Sequence, residues 1–109
     1  MASVTSSPPT NMIPARVREV AVMAAEALRD ELGAGTQVLW FGSWARGDAE
    51  ARSDIDLAVS REPALSVAEL ARARQRVAEL PTLYGVDVLG LEEAGEALRR
   101  EIHRDGIPL

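Results

Sequence analysis

Apolar residues recur along this chain in blocks whose spacing alternates between that of a helix and that of a strand. Pro14 suits the first position of a helix. After it, Val17, Val20, Ala24, Leu28 and Leu32 follow the helical period, so the segment predicts a helix with one apolar face. Gly33 and Gly35 stop it. Gln37–Phe41 is apolar on both faces, the pattern of a central strand. Gly42 breaks that strand, and a short helical turn follows over Ser43–Arg46. A loop through residues 47–52 then leads to a second strand over residues 54–60.

The next helix carries start signals. Ser66 and Glu69 have the spacing of a capping box, and Leu65 and Leu70 stand where a hydrophobic staple would. Leu70, Val77 and Leu80 extend the apolar stripe, and Pro81 lies just past its end. A third strand is expected over residues 85–89. A last helix is expected over residues 92–104, with Ala94, Leu98 and Ile102 facing inward and Gly106 as its cap. The first 13 residues, rich in Ser, Thr and Pro, read as a tail. The order helix, strand, turn, strand, helix, strand, helix predicts a small α/β domain over residues 14–109, with a mixed β-sheet and flanking helices.

Composition narrows the functional classes. The chain has 109 residues, of which 47% are apolar, enough for one core. A second, substrate-recognising domain is not expected in that length. All 12 basic residues are Arg, and the net charge is -5, so a broad nucleic-acid-binding surface is not expected. An acidic chain can still bind nucleotides if metal ions screen the phosphates. The absence of Cys excludes disulfides, zinc–thiolate sites and thiol nucleophiles, and the single His103 cannot build a multi-His metal site. No secretory signal and no membrane-spanning stretch is visible, so a cytoplasmic protein is expected.

The chemically informative stretch is Gly42-Ser-Trp-Ala-Arg-Gly-Asp-Ala-Glu-Ala-Arg-Ser-Asp-Ile-Asp-Leu57. Asp54 and Asp56 are two apart on a predicted strand, so both carboxylates face one way while Ile55 and Leu57 face the core. Two like charges side by side repel, which invites a hard divalent cation; beside phosphates that is usually Mg²⁺. Gly42 and Ser43 stand where a strand hands over to a helical turn, where free N–H groups attract anions and Gly lets a phosphate approach the backbone. Asp87, a charge between Val86 and Val88 on an otherwise apolar strand, is the candidate third carboxylate. If the two strands are neighbours, the three Asp residues suffice for a two-metal site about 3.5–4 Å across.

This segment resembles the signature of the DNA polymerase β-like nucleotidyltransferase superfamily: Gly-Ser, ten residues, then Asp-x-Asp. Here the ten run from Trp44 to Ser53. It is more closely similar to the minimal nucleotidyltransferase (MNT) family. That family's longer pattern, Gly-Ser-x-Ala-Arg-Gly-Asp followed by Ser-Asp-Ile-Asp-Leu, stands at residues 42–57, and Ile102-His-Arg-Asp-Gly106 is similar to its final helix. The resemblance implies a small nucleotidyltransferase fold that uses two Mg²⁺ ions and ATP. Asp54 and Asp56 would bind both metals, and Asp87 would bind the catalytic one and favour deprotonation of the acceptor. Gly42 and Ser43 would hold the β- and γ-phosphates. Many MNT proteins are antitoxins of HEPN-domain ribonuclease toxins, and some silence the toxin by AMPylating a tyrosine.

Other residues have plainer readings. Arg46 contacts phosphate or forms a structural salt bridge. Trp44 stacks on a base or sits at a partner interface, the interface being preferred. Trp40 reads as core. Asp48, Glu50 and Arg52 read as a solvated loop, and His103 as a helix-end cation. Arg72, Arg74, Arg76, Arg99 and Arg100 read as solvated helix faces. Three functions compete: adenylylation of a HEPN toxin, neutralisation of a toxin by binding alone, and transfer to a small molecule or an RNA end. The third needs an acceptor-binding domain, unless a homodimer supplies one.

Overall fold

The computed structural model describes residues 13–109. The expected tail lies outside the described residues except for Ile13, which is buried in the main core. The first helix, α1, spans Ala15–Leu32, with Pro14 in the extended cap position rather than inside the helix. Its apolar stripe is buried as the periodicity requires, and Gly33 ends it at φ 111°, a conformation that favours glycine. Strand β1 spans Gln37–Phe41 and the short helix α2 spans Ser43–Arg46. Strand β2 spans Ile55–Ser60, helix α3 Val67–Ala78 and strand β3 Val86–Gly90.

The C-terminal third departs from the single helix expected over residues 92–104. A 3-10 turn over Leu91–Glu93 comes first, and helix α4 then spans Glu96–Asp105 with Gly95 as its N-cap. Ala94 is buried but lies between the two elements. Glycine disfavours a helix interior, and here it divides the segment. After Gly106, Ile107–Pro108 form a short strand β4 that the apolar pattern does not announce. Its two residues are too few to show a period.

The sheet has four strands in the order β3-β2-β1-β4. β1 pairs antiparallel with β2 and with β4, while β2 and β3 are parallel and joined through α3. Alternation along the strands makes two cores. Val38, Trp40, Ile55, Leu57, Val59 and Val88 join α1 and α3 in the larger one. Leu39, Ala58, Leu91 and Ile102, with Phe41, Leu89 and Leu98 at their edge, form a smaller one under α4.

Ion pairs tie the larger layer together. Arg72 and Arg76 of α3 reach Glu31 and Asp30 of α1, so two of the arginines on solvated faces also bridge helices. Arg74 donates to the Val88 carbonyl of β3 at 2.9 Å. At the start of α3 the expected capping box is present. The Ser66 hydroxyl accepts from the Glu69 N–H at 3.1 Å, and the Glu69 carboxylate accepts from the Ser66 N–H at 3.0 Å. The same carboxylate takes both ends of the Arg61 guanidinium at 2.8 and 2.9 Å, and Arg61 also reaches the Leu32 carbonyl at 3.0 Å. One cation thereby joins the end of α1, the end of β2 and the start of α3.

The Arg61 hydrogen bonds, followed by the backbone bond from Ser66, hold the Glu69 carboxyl down at about 2. The stability this contributes is present above the ordinary Glu range and is lost as pH falls toward 2. Replacing Ser66 by Ala removes one half of the capping box. It should cost about 1 kcal/mol in urea denaturation at neutral pH. An unchanged midpoint would show that the Arg61–Glu69 pair alone holds the helix start.

Candidate active site

The chemistry-bearing residues gather at one end of the sheet because of strand direction. β1 runs toward that end and stops at Phe41. β2 and β3 both start there. The antiparallel register sets Phe41 opposite Asp56, and the parallel register sets Asp56 opposite Asp87. The neighbouring strands that the third carboxylate required are therefore present. Asp87 is exposed on the edge strand, and Asp56 is half-buried.

Asp54 corrects the expected strand boundary. It lies one residue before β2 rather than on it. The Ile55 N–H donates to the Gly85 carbonyl at 2.8 Å, which zips the start of β2 to the residue before β3. A Cβ on Gly85 would stand 2.5 Å from Asp54 Oδ1, so the Asp54 carboxylate lies against a backbone that only glycine leaves open. Gly85 was legible only as the start of a strand. Its packing role depends on a register that no local pattern reveals.

Gly42 is constrained twice. Its φ of 85° favours glycine, and a Cβ there would collide with the Asp56 carboxylate. The handover from β1 to α2 therefore lies directly against one of the candidate metal ligands. Ser43 opens α2 and is half-buried; its carbonyl accepts from the Gly47 and Asp48 N–H groups at 2.9 and 3.0 Å. Gly47 closes the turn in the left-handed conformation.

The preferred reading of Trp44 as an interface residue is overturned. Its side chain is buried in the main core, and its indole N–H donates to the Ser53 carbonyl at 2.9 Å. A large apolar ring two residues after Gly42 pays for its burial in the core and uses its one polar group to hold the loop that leads to Asp54. Trp40 is core, as expected. Arg46 is engaged in ion pairs with Asp48 at 3.4 Å and with Glu101 of α4 at 3.2 Å. His103 and Asp48 are exposed.

Burial pushes the Asp56 carboxyl up to about 6. The charges of Asp87 and Asp54 push the same way, and Arg46 opposes them. Like charges this close favour sharing a proton or a cation. Among the described residues, no three acidic, His or Cys side chains converge into a closed ligand shell. The strands still bring Asp56 and Asp87 to paired positions, with Asp54 just before β2. The donor set nevertheless fits a hard divalent ion. It offers carboxylate oxygens alone, and it lies against a glycine whose missing side chain leaves the carboxylate uncovered.

The family profile described as polymerase beta nucleotidyltransferase matches residues 35–109. The chain belongs to this nucleotidyltransferase family. The match begins just before β1 and takes in the whole sheet. Among solved structures, the nucleotidyltransferase chain is similar to one from a toxin–antitoxin crystallised with AMP-PNP, at 26% identity and a TM-score of 0.65 over 77% of this chain and 67% of that one. A structure assigned as a minimal nucleotidyltransferase is 26% identical with a TM-score of 0.55, over 96% of this chain and 99% of the other. A nucleotidyltransferase-like structure from Sulfolobus solfataricus, at 20% identity and a TM-score of 0.59, shares the fold. No curated protein matches this nucleotidyltransferase significantly.

The raised Asp56 pKa has a measurable consequence for the metal-free protein. Its extra stability is fully present below the ordinary value of 3.8 and is lost as pH rises through about 6. Asp56→Asn removes that loss. We expect the variant to exceed wild type at pH 7.5 by about 1 kcal/mol after allowing for solvent screening, or roughly 4–8 °C in Tm. The advantage should vanish near pH 4. A variant less stable than wild type across that whole range would show that Asp56 is a structural anchor rather than a crowded charge.

Proposed function

We propose that this nucleotidyltransferase is an antitoxin that moves AMP from ATP to a tyrosine hydroxyl of a HEPN-domain toxin, using Mg²⁺. The observation that carries the reading is the pairing of Asp56 with Asp87 across β2 and β3, with Gly42 set against the same carboxylate. The likeness to a toxin–antitoxin structure with a bound ATP analogue supports both the nucleotide and the kind of partner. We assign catalysis to one domain over residues 14–109. No helix among the described residues is long and apolar enough to cross a membrane, and we place the protein in the cytoplasm.

In this reading Gly42 lets the β- and γ-phosphates approach the backbone, and the Ser43 hydroxyl donates to them. Arg46 is paired with Asp48 through Nε and with Glu101 through Nη1, which leaves its Nη2 to donate to phosphate. Asp54 and Asp56 would hold both Mg²⁺ ions and Asp87 would share one of them; bound there, the metal neutralises phosphate charge and acidifies the attacking hydroxyl. The acceptor oxygen forms a bond to the α-phosphorus while the bond from that phosphorus to the bridging oxygen breaks. Pyrophosphate leaves, and AMP stays on the acceptor. The hydroxyl proton passes to the exposed Asp87 carboxylate and on to water. Holding acceptor and nucleotide together supplies much of the rate.

Saturating Mg-ATP should stabilise the protein by mass action, by about 2.7 kcal/mol at a hundredfold excess over Kd. The shift should disappear in Asp54→Asn/Asp56→Asn and shrink in Ser43→Ala, whose unliganded Tm should stay near that of wild type. Co-incubation with the cognate toxin and Mg-ATP should add AMP increments to the toxin's mass. Asp87→Asn should abolish the increments while leaving the complex intact. The reading is falsified if wild type neutralises the toxin without any mass change and the Asp54, Asp56 and Asp87 variants neutralise it equally well. That result would make the protein an antitoxin by occlusion.

A further inference from the structure

On the β3 side of the carboxylates, away from Gly42, the surface opens into a cleft. One wall is Ala51 and Arg52, from the loop before β2. The other is Leu83, Tyr84 and Gly85, from the segment before β3, and Asp54 lies between them. Leu83 is fully exposed, at 105% of its reference area. Water-exposed leucine is common when single, but this one sits in a concave surface beside Asp54 with an aromatic residue next to it. Tyr84 is partly buried against the main core, which fixes that wall. Gly85 has no side chain to fill the floor, and a Cβ there would strike the Asp54 carboxylate.

Arg52 supplies the charge. It is exposed and makes no ion pair or hydrogen bond among the described residues. By contrast Arg46, Arg61, Arg72, Arg76 and Arg104 are each paired with a carboxylate. In a chain of net charge -5, an uncommitted guanidinium lining the same cleft as Asp54 marks where an anionic group would be welcome.

Strand order decides which reactant the cleft faces. Gly42 and Ser43 follow β1, on one side of β2, while Asp87 lies on β3, on the other. A triphosphate on the Gly42 side leaves the β3 side for the group that attacks it in line. We propose that this cleft is the acceptor subsite. It takes a tyrosine-bearing segment of the partner, with the phenol ring against Leu83 and Tyr84, its oxygen reaching past Asp54 toward Asp87, and an acidic neighbour on Arg52. The proposal rests on the AMP-transfer reading for its chemistry, and on the cleft alone for its location.

The test is a ¹⁵N NMR titration of the full chain with short tyrosine peptides flanked by Glu or by Lys, in the presence of Mg²⁺ and AMP-PNP. Shifts should cluster at residues 51–54 and 83–85. The Glu-flanked peptide should bind about threefold more tightly than the Lys-flanked one, the scale of an exposed ion pair. Arg52→Glu should reverse that preference, and Leu83→Ser should weaken both peptides by about tenfold through lost apolar contact. Both residues are exposed, so both variants should keep wild-type Tm and wild-type affinity for Mg-ATP. Shifts confined to other surfaces would overturn the proposal. So would variants that lose Mg-ATP and keep the peptides, because the cleft would then hold the nucleoside. Mass spectrometry with Mg-ATP separates the two readings. A peptide that binds in the cleft but never gains AMP overturns transfer and leaves the subsite. A peptide that gains AMP equally well with both variants overturns the subsite and leaves transfer.

Discussion

Two aspartates held opposite each other on hydrogen-bonded strands repel, and the chain around them must keep them there. Asp56 and Asp87 occupy paired positions of β2 and β3, and Asp54 adds a third charge where β2 begins. The frame that resists them is the row of buried side chains on the opposite face of β2: Ile55, Leu57 and Val59, packed under α1 and α3. Charge on one face is set against apolar burial on the other, within the same run of residues. The ion pairs between α1 and α3 and the Arg61–Glu69 clamp stiffen the layer that does the holding. A more compliant sheet would relieve the repulsion by splaying its edge strand, and the carboxylates would part.

The smaller core under α4 serves the other face. Ile102 and Leu98 pack on the strands, and Arg46 of α2 pairs with Glu101 of α4 across the same region. The turn after β1 is thus tied to the last helix, as well as to the strand that precedes it. A change in the pairing of Arg46 is a change in the contact between α2 and α4, so the two elements are mechanically linked.

Much of this arrangement was legible in the residues. Periodicity located α1, from Pro14 to Gly33, and the apolar run closed by Gly42 located β1 and the turn after it. The capping box at Ser66 and Glu69 announced α3 for the same reason: its signal is local. The candidate site was readable through the spacing of Gly42-Ser43 and Asp54-Ile-Asp56, and Asp87 through its oddity on an apolar strand. What was not legible depends on tertiary register. The contact of Gly85 with Asp54 requires that β2 and β3 pair in one particular alignment. β4 exists only because β1 offers it an edge. Trp44 was misplaced because a sequence cannot say which side of a four-residue helix faces inward. The splitting of the last helix at Gly95 was a local signal that the longer apolar period outweighed.

The indole of Trp44 has a use apart from packing. Its N–H is bonded to the Ser53 carbonyl, the residue before Asp54, while its backbone lies within α2, next to Ser43. The ring therefore spans the two segments that flank the carboxylates. Indole emission is sensitive to the polarity and hydrogen bonding of its surroundings, and the only other tryptophan, Trp40, is fully enclosed. The protein thus carries a built-in optical reporter, with both rings in the core but only Trp44 bonded to the loop that leads to Asp54.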